Sequence, residues 1–163
     1  HNLAGNVKKE ISIDHGAIEG LPEFLATISQ EYTKRVLPDF LPEGTKIAFR
    51  VWAVSQWAGD FNPIHIHDSN LSGVCFLKIP PKFEEEYAKE DHHPTAGCLE
   101  FIGSVPNHFA RHSFLAKPEV GDFYIFPSWL THQVYPFRSE GERRSMAFNV
   151  HFTSDKIIKG IDG

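Results

Sequence analysis

Two long stretches in which apolar residues recur at every second position constrain this chain most. In the first, Thr45 to Ala58, residues Ile47, Phe49, Val51 and Ala53 share one face, and Arg50, Trp52 and Gln56 share the other. In the second, Arg143 to Phe152, residues Met146, Phe148, Val150 and Phe152 alternate with Arg143, Ser145, Ala147, Asn149 and His151. A period of two marks a strand, because successive side chains leave a pleated sheet on opposite sides. Strands this long need neighbours to pair with and cover on at least one face. The fold class is therefore expected to be mostly β. The face carrying Trp52 is too aromatic for plain surface. It is read as the wall of a cavity, or else as a Trp packed beneath a loop.

One early segment has a different period. From Ala17 to Val36, Leu21, Phe24, Leu25, Ile28 and Tyr32 recur every three to four residues, which predicts an amphipathic helix. Pro22 suits its start and Pro38 follows its end. Shorter strands are expected at Asn6–Ile13 (an edge), Ser72–Ile79, Gly97–Ile102, Phe123–Phe126 and Gln133–Phe137. Ser139 to Glu142 reads as a hairpin turn, which would pair the strand after His132 with that of Arg143. Lys82 to Thr95 is charged and reads as a solvated excursion, and Ser104 to Pro118 as an irregular loop that borders a site. Many short strands and one outer helix predict a β-sandwich or a barrel of jelly-roll type with the helix packed outside, and such a barrel has an open mouth for ligands. There is no repeat or linker, and 163 residues suffice for a single domain over 1–163.

Composition removes some classes of function. A net charge of −5 gives no general attraction to nucleic acid or anionic membrane. Two cysteines, Cys75 and Cys98, make no disulfide framework and fit a reducing compartment, the cytoplasm. No apolar run approaches a membrane span and no signal peptide is visible. The first residue is His1 rather than Met, which fits missing or processed N-terminal sequence.

The chemistry lies in Gly59 to Leu77, which holds His65 and His67 with Asp68 beside them. In an extended chain both imidazoles point to one side, with Ile66 turned the other way into a core. Two imidazoles on one face begin a metal site. With ten histidines in the chain, the pair also fits exposed edge-strand residues. His92-His93 and the His108/His112 pair are read as surface residues. His132 follows an apolar strand and a Pro-Ser turn, beside Trp129 and Leu130, which could wall a pocket. Arg143 and Ser145 share a strand face, and a guanidinium fork takes a carboxylate bidentately, although Arg143 taken alone fits a surface residue at a strand start. A metal held by histidines and faced by Arg-x-Ser suits a dicarboxylate, chelated at one end and gripped at the other. That is the demand of 2-oxoglutarate.

These residues lie in blocks that keep their order: Asn62-Pro-Ile-His-Ile-His67, Leu71-Ser-Gly-Val-Cys-Phe-Leu77, Gly97-Cys-Leu-Glu-Phe101, Gly121 to His132, and Arg143-Arg-Ser-Met-Ala-Phe-Asn149. In them the sequence resembles the iron(II)- and 2-oxoglutarate-dependent dioxygenases, especially a small group from marine bacteria and phages. The resemblance implies a double-stranded β-helix, with His65 and His132 as the two iron histidines. It implies Arg143, with Ser145 beside it, as the cofactor-binding residues for 2-oxoglutarate. The wider family has a carboxylate two residues after the first histidine; here that residue is His67, as is usual in the small group. Strand parity favours His67 as the third ligand, with Asp68 as its partner or the alternative ligand. No catalytic residue beyond the metal centre is expected. Phe76 stands where many relatives have Tyr. The implied reaction hydroxylates a C–H bond of a small-molecule or peptide substrate, with an amino-acid or peptidyl side chain as the family-level guess, and releases succinate and CO2. A cupin-like three-histidine metalloprotein that does not use 2-oxoglutarate is the alternative, and a non-catalytic binding domain is a third.

Overall fold

The computed structural model describes residues 7–89, 94–103, 109 and 111–154. It has nine strands and two helices among them. Strand β1 (Lys9–Ile13) is followed by a 3-10 turn at His15–Ala17 and helix α1 (Leu21–Val36). Then come β2 (Lys46–Gln56), β3 (Asn62–His65), β4 (Leu71–Lys78) and a short helix α2 (Phe83–Lys89). The chain ends in β5 (Leu99–Ile102), β6 (Ser113–Ala116), β7 (Phe123–Pro127), β8 (Thr131–Val134) and β9 (Arg143–Thr153). Antiparallel pairing builds two sheets, in the orders β1-β2-β9-β4-β7 and β3-β8-β5-β6. This is the mostly β, double-stranded β-helix architecture expected. Among the described residues, no helix is long and apolar enough to cross a membrane.

The two faces of the large sheet have different cover, and the alternation in β2 and β9 decides which residue goes where. Val51, Leu71, Phe148, Val150 and Phe152 form a core with Leu25 of α1. Each side chain buried in this way stabilises by roughly 1.5–3 kcal/mol. The opposite face meets the small sheet, where Phe76 and Phe126 pack on Leu99, Phe101, Ala116 and Val134. Helix α1 starts later than the apolar spacing alone indicates. Gly20 takes a left-handed φ of 74°, so the helix begins at Leu21, with Pro22 and Glu23 in its first turn and Lys34 and Arg35 in its last. Ser29 and Thr33 on its buried face donate to the carbonyls of Leu25 and Ser29 at 2.6 and 2.8 Å, so neither hydroxyl is left unmet.

Four expectations change. β8 and β9 do not form a hairpin: β8 pairs with β3 and β5, β9 with β2 and β4, and Ser139 to Glu142 carries the chain from one sheet to the other. Ile66 does turn away from the histidines, but to solvent (58% exposed), because the outer side of edge strand β3 has no cover. Lys82 to Thr95 is not simply solvated. It contains α2, anchored by Phe83, which is fully buried against Ala96 and Phe137. The loop from Ser104 contains strand β6, which pairs with β5. His92, His93, His108 and the tail from Lys156 lie outside the described residues.

Candidate metal centre

Strand β3 delivers His65 directly opposite His132 of β8. The strand ends there, and His67 lies just beyond it, where its backbone N–H donates to Ser128 O at 3.0 Å. That bond keeps the segment extended past the end of the ladder, so parity still brings His67 to the side of His65. The ligand-capable atoms of His65, His67 and His132 all lie within 4.8 Å of one another. Asp68 is exposed and is not in this cluster.

The same device orients two of the rings. His65 Nδ1 lies 2.7 Å from Pro63 O and His132 Nδ1 lies 2.8 Å from Leu130 O. A carbonyl only accepts, so each Nδ1 carries a proton, which leaves Nε2 as the ring nitrogen that can bind a metal. His67 Nε2 and His132 Nε2 are 3.2 Å apart. Burial pushes the His67 pKa down to about 4, and His65 beside it acts in the same direction. Burial also pushes His132 down to about 4, against the opposing hydrogen bond to Leu130. Neutral imidazoles with converging lone pairs are what a first-row metal ion such as iron(II) requires. The residues present therefore fit such an ion. The aromatic edge of Phe126 packs on His132, with ring centroids 4.9 Å apart.

Arg143 lies on the facing wall. It is 2% exposed, and its guanidinium stacks over Phe76 with the carbon 4.9 Å from the ring centroid. Its Nη1 donates to Gln56 Oε1 at 2.5 Å, across the β2–β9 register that sets Gln56 opposite Arg143. Burial lowers its pKa to about 10, partly opposed by nearby Cys98, so it stays a cation at neutral pH. No carboxylate among the described residues pairs with it. Ser145, 4% exposed, follows on the same face. A cavity with about 550 Å³ of empty space, open to solvent, joins the parts: His65, His67, His132, Arg143 and Ser145 all line it. Leu99, Phe126 and Val134 make its apolar wall, and Glu10 and Trp52 also border it.

All five candidate residues thus meet at one cavity, and Trp52 borders it as the alternation in β2 indicated. Sequence reasoning placed Gln56 on that wall without giving it a task. It did not single out Glu10 or Asn62. Asn62 was visible as the start of the first quoted block, three residues before His65. It also missed a buried polar ladder beneath His67, in which Ser72 bonds both Ser128 (2.9 Å) and Asn149 (2.8 Å). Alternation put Asn149 on the correct face, but nothing in the sequence named its partner.

A double-stranded β-helix with three clustered histidines facing a buried arginine defines a class of metal-dependent protein. Residues 50–149 match the family model described as "Putative 2OG-Fe(II) oxygenase". The chain belongs to this family of iron(II)- and 2-oxoglutarate-dependent oxygenases. No curated protein matches its sequence. Among solved structures it is similar to a prolyl-4-hydroxylase from Pseudomonas putida, with TM-score 0.54 and 21% identity over 85% of this chain and 66% of that one. A Trichoplax adhaerens prolyl hydroxylase, solved with a hypoxia inducible factor oxygen degradation domain peptide fragment, has TM-score 0.55 and 15% identity, over 95% and 66%. HygX from Streptomyces hygroscopicus, solved with nickel and 2-oxoglutarate, has TM-score 0.52 and 10% identity, over 88% and 72%. At these identities the likeness is one of fold. The chain spans just under two thirds of the length of either prolyl hydroxylase.

Proposed function

We propose that residues 1–163 form a single oxygenase domain that hydroxylates a C–H bond of an amino-acid or peptidyl side chain, with His65, His67 and His132 holding iron(II) and Arg143 and Ser145 holding 2-oxoglutarate. The bound metal and co-substrate supply the oxidising chemistry, in which 2-oxoglutarate and O2 become succinate and CO2 as the C–H bond is hydroxylated. The chain's own residues bind and orient both. The carbonyls of Pro63 and Leu130 hold the tautomers of His65 and His132, and burial keeps His67 and His132 unprotonated. Arg143 and Ser145 meet the distal carboxylate of the co-substrate. Leu99, Phe126 and Val134 give the site an apolar wall. The peptide held by the Trichoplax enzyme supports a peptidyl substrate as the class to try first.

The observation that carries this reading is the buried Arg143 guanidinium, which shares the cavity with the histidine cluster and has no carboxylate partner among the described residues. A buried cation whose contacts, Gln56 and Phe76, are both neutral suits an anion from outside the chain. A three-histidine metalloprotein indifferent to 2-oxoglutarate would share the cluster, and the lack of a carboxylate in it among the described residues favours that reading, but it gives Arg143 no task. The deciding experiment loads the protein with iron anaerobically and measures succinate formed from 2-oxoglutarate on admitting O2, beside Arg143→Ala. Iron-dependent succinate that disappears in the variant is expected. Iron binding with no affinity for 2-oxoglutarate would leave the three-histidine metalloprotein in its place.

A further inference from the structure

Gln56 and Arg143 are separated by 87 positions in sequence and sit side by side in the cavity wall. Both are almost fully buried. The amide has one accepting end and one donating end. Arg143 Nη1 uses the accepting end, which fixes the amide's orientation and turns Nε2 away from that nitrogen. Among the described residues, Gln56 Nε2 and Arg143 Nε are then buried donors with no acceptor, while Asn62 Oδ1 at the same cavity and Asp60 Oδ1 are buried acceptors with no hydrogen-bond donor. Buried donors in native proteins find acceptors, so an orphaned amide N–H next to a buried cation in a cavity wall marks a place where a ligand supplies one. The guanidinium's charge requires that ligand to be an anion, and an ionised carboxylate is purely an acceptor.

We infer that Gln56 is a second donor to the carboxylate that Arg143 binds, so that amide and guanidinium grip one ligand group together. This deepens the 2-oxoglutarate reading and rests on it. The choice of glutamine has a physical reason. Glutamate at this position would neutralise Arg143 within the protein and repel the ligand. Leucine would leave Nη1 without its partner and the fork without its lateral stop. Glutamine positions the cation without quenching it.

The test titrates 2-oxoglutarate into anaerobic iron(II)-loaded protein by calorimetry, and follows thermal unfolding of the metal-free, ligand-free protein. Wild type is compared with Gln56→Glu and Gln56→Leu. For Gln56→Glu we expect 2-oxoglutarate affinity to fall by about 100-fold or more while the thermal midpoint rises, since a lone buried charge gains a partner. For Gln56→Leu we expect about a tenfold loss, the size of one charge-assisted hydrogen bond. Iron affinity stays unchanged in both. A purely structural glutamine predicts a different pattern, with stability falling and ligand affinity unmoved. Binding within about threefold of wild type in either variant overturns the inference. Failure of the wild type to bind 2-oxoglutarate overturns the reading beneath it, and the two failures are distinct. Should Gln56→Glu not fold, the leucine variant alone decides.

Discussion

The Nε2 atoms of His67 and His132 stand 3.2 Å apart, so a proton on both rings would set two like charges face to face. Burial has already moved both pKa values down to about 4 from an ordinary 6.5. Between pH 6.5 and 4 the unfolded chain therefore binds protons at these two positions that the native chain does not. Stability must rise with pH in that window and fall as pH drops through it. For protein stripped of metal by a chelator, the urea midpoint is expected to decline steadily from pH 6.5 toward 4.5. The double variant His67→Gln/His132→Gln should show a visibly flatter decline. An identical slope in the variant would assign the acid sensitivity to other groups.

His67 rather than Asp68 is expected to hold the metal. Asp68 is one residue further along, exposed, and outside the cluster. Loss of a hydrogen bond to a metal ligand costs roughly 10–100-fold in affinity, and loss of the ligand itself should exceed that. Titration of iron(II) should therefore show His67→Ala weakened by more than about 100-fold, with His132→Ala alike. Asp68→Asn should stay close to wild type. The reverse ranking would move the third ligand to the carboxylate.

The parts of this fold that were legible in the sequence share a physical cause. Alternation in β2 and β9 is strict, one face of each being core, so parity alone placed Phe148 toward the helix and Arg143 toward the cavity. The same parity carried His67 to the side of His65. Sheet partners were not legible, because β9 meets β2 and β4 across long separations in sequence that no local pattern encodes. The turn at Ser139 to Glu142 has hairpin chemistry yet crosses between sheets. There its conformation answers to α2, whose Glu86 carboxylate accepts from the backbone N–H groups of Arg138 and Ser139 at 2.7 and 2.6 Å. Strand β6 was missed because four residues, two of them half-buried, give too short an alternation to read. Gln56 needed the register before it could be paired with Arg143.

Gly73 is expected to resist even the smallest side chain. A Cβ there would lie 2.2 Å from Phe148 Cζ and 2.8 Å from the backbone oxygen of Tyr124. The Phe148 ring has no room to retreat. It is fully buried and stacked on Phe123 with centroids 5.4 Å apart. Overpacking of a close-packed core costs about 1–3 kcal/mol. Gly73→Ala should lose an amount of that order in urea unfolding, with an unchanged denaturant slope. Wild-type stability in this variant would mean that β4 can shift away from Phe148 at no cost.

Replacing Arg143 by lysine should convert a permanent charge into a titrating one. The guanidinium starts from so high a pKa that burial, bringing it to about 10, still leaves it charged near neutrality. An ammonium starts lower, at about 10.4, and burial at the same place removes its proton much more readily. It also lacks the planar fork that donates to Gln56 Oε1 and stacks on Phe76. Only the protonated amine can hold a carboxylate, so raising the pH empties the binding form. Wild-type 2-oxoglutarate affinity should thus be flat between about pH 6 and 8, where the guanidinium remains charged. In Arg143→Lys it should be at least tenfold weaker at neutral pH, about the size of a lost charge-assisted hydrogen bond. It should weaken further as pH rises, with proton uptake on binding that shows as a dependence of the calorimetric heat on buffer. Flat profiles in both proteins would mean that the lysine reaches solvent, and that the pocket around Arg143 is less closed than its burial implies.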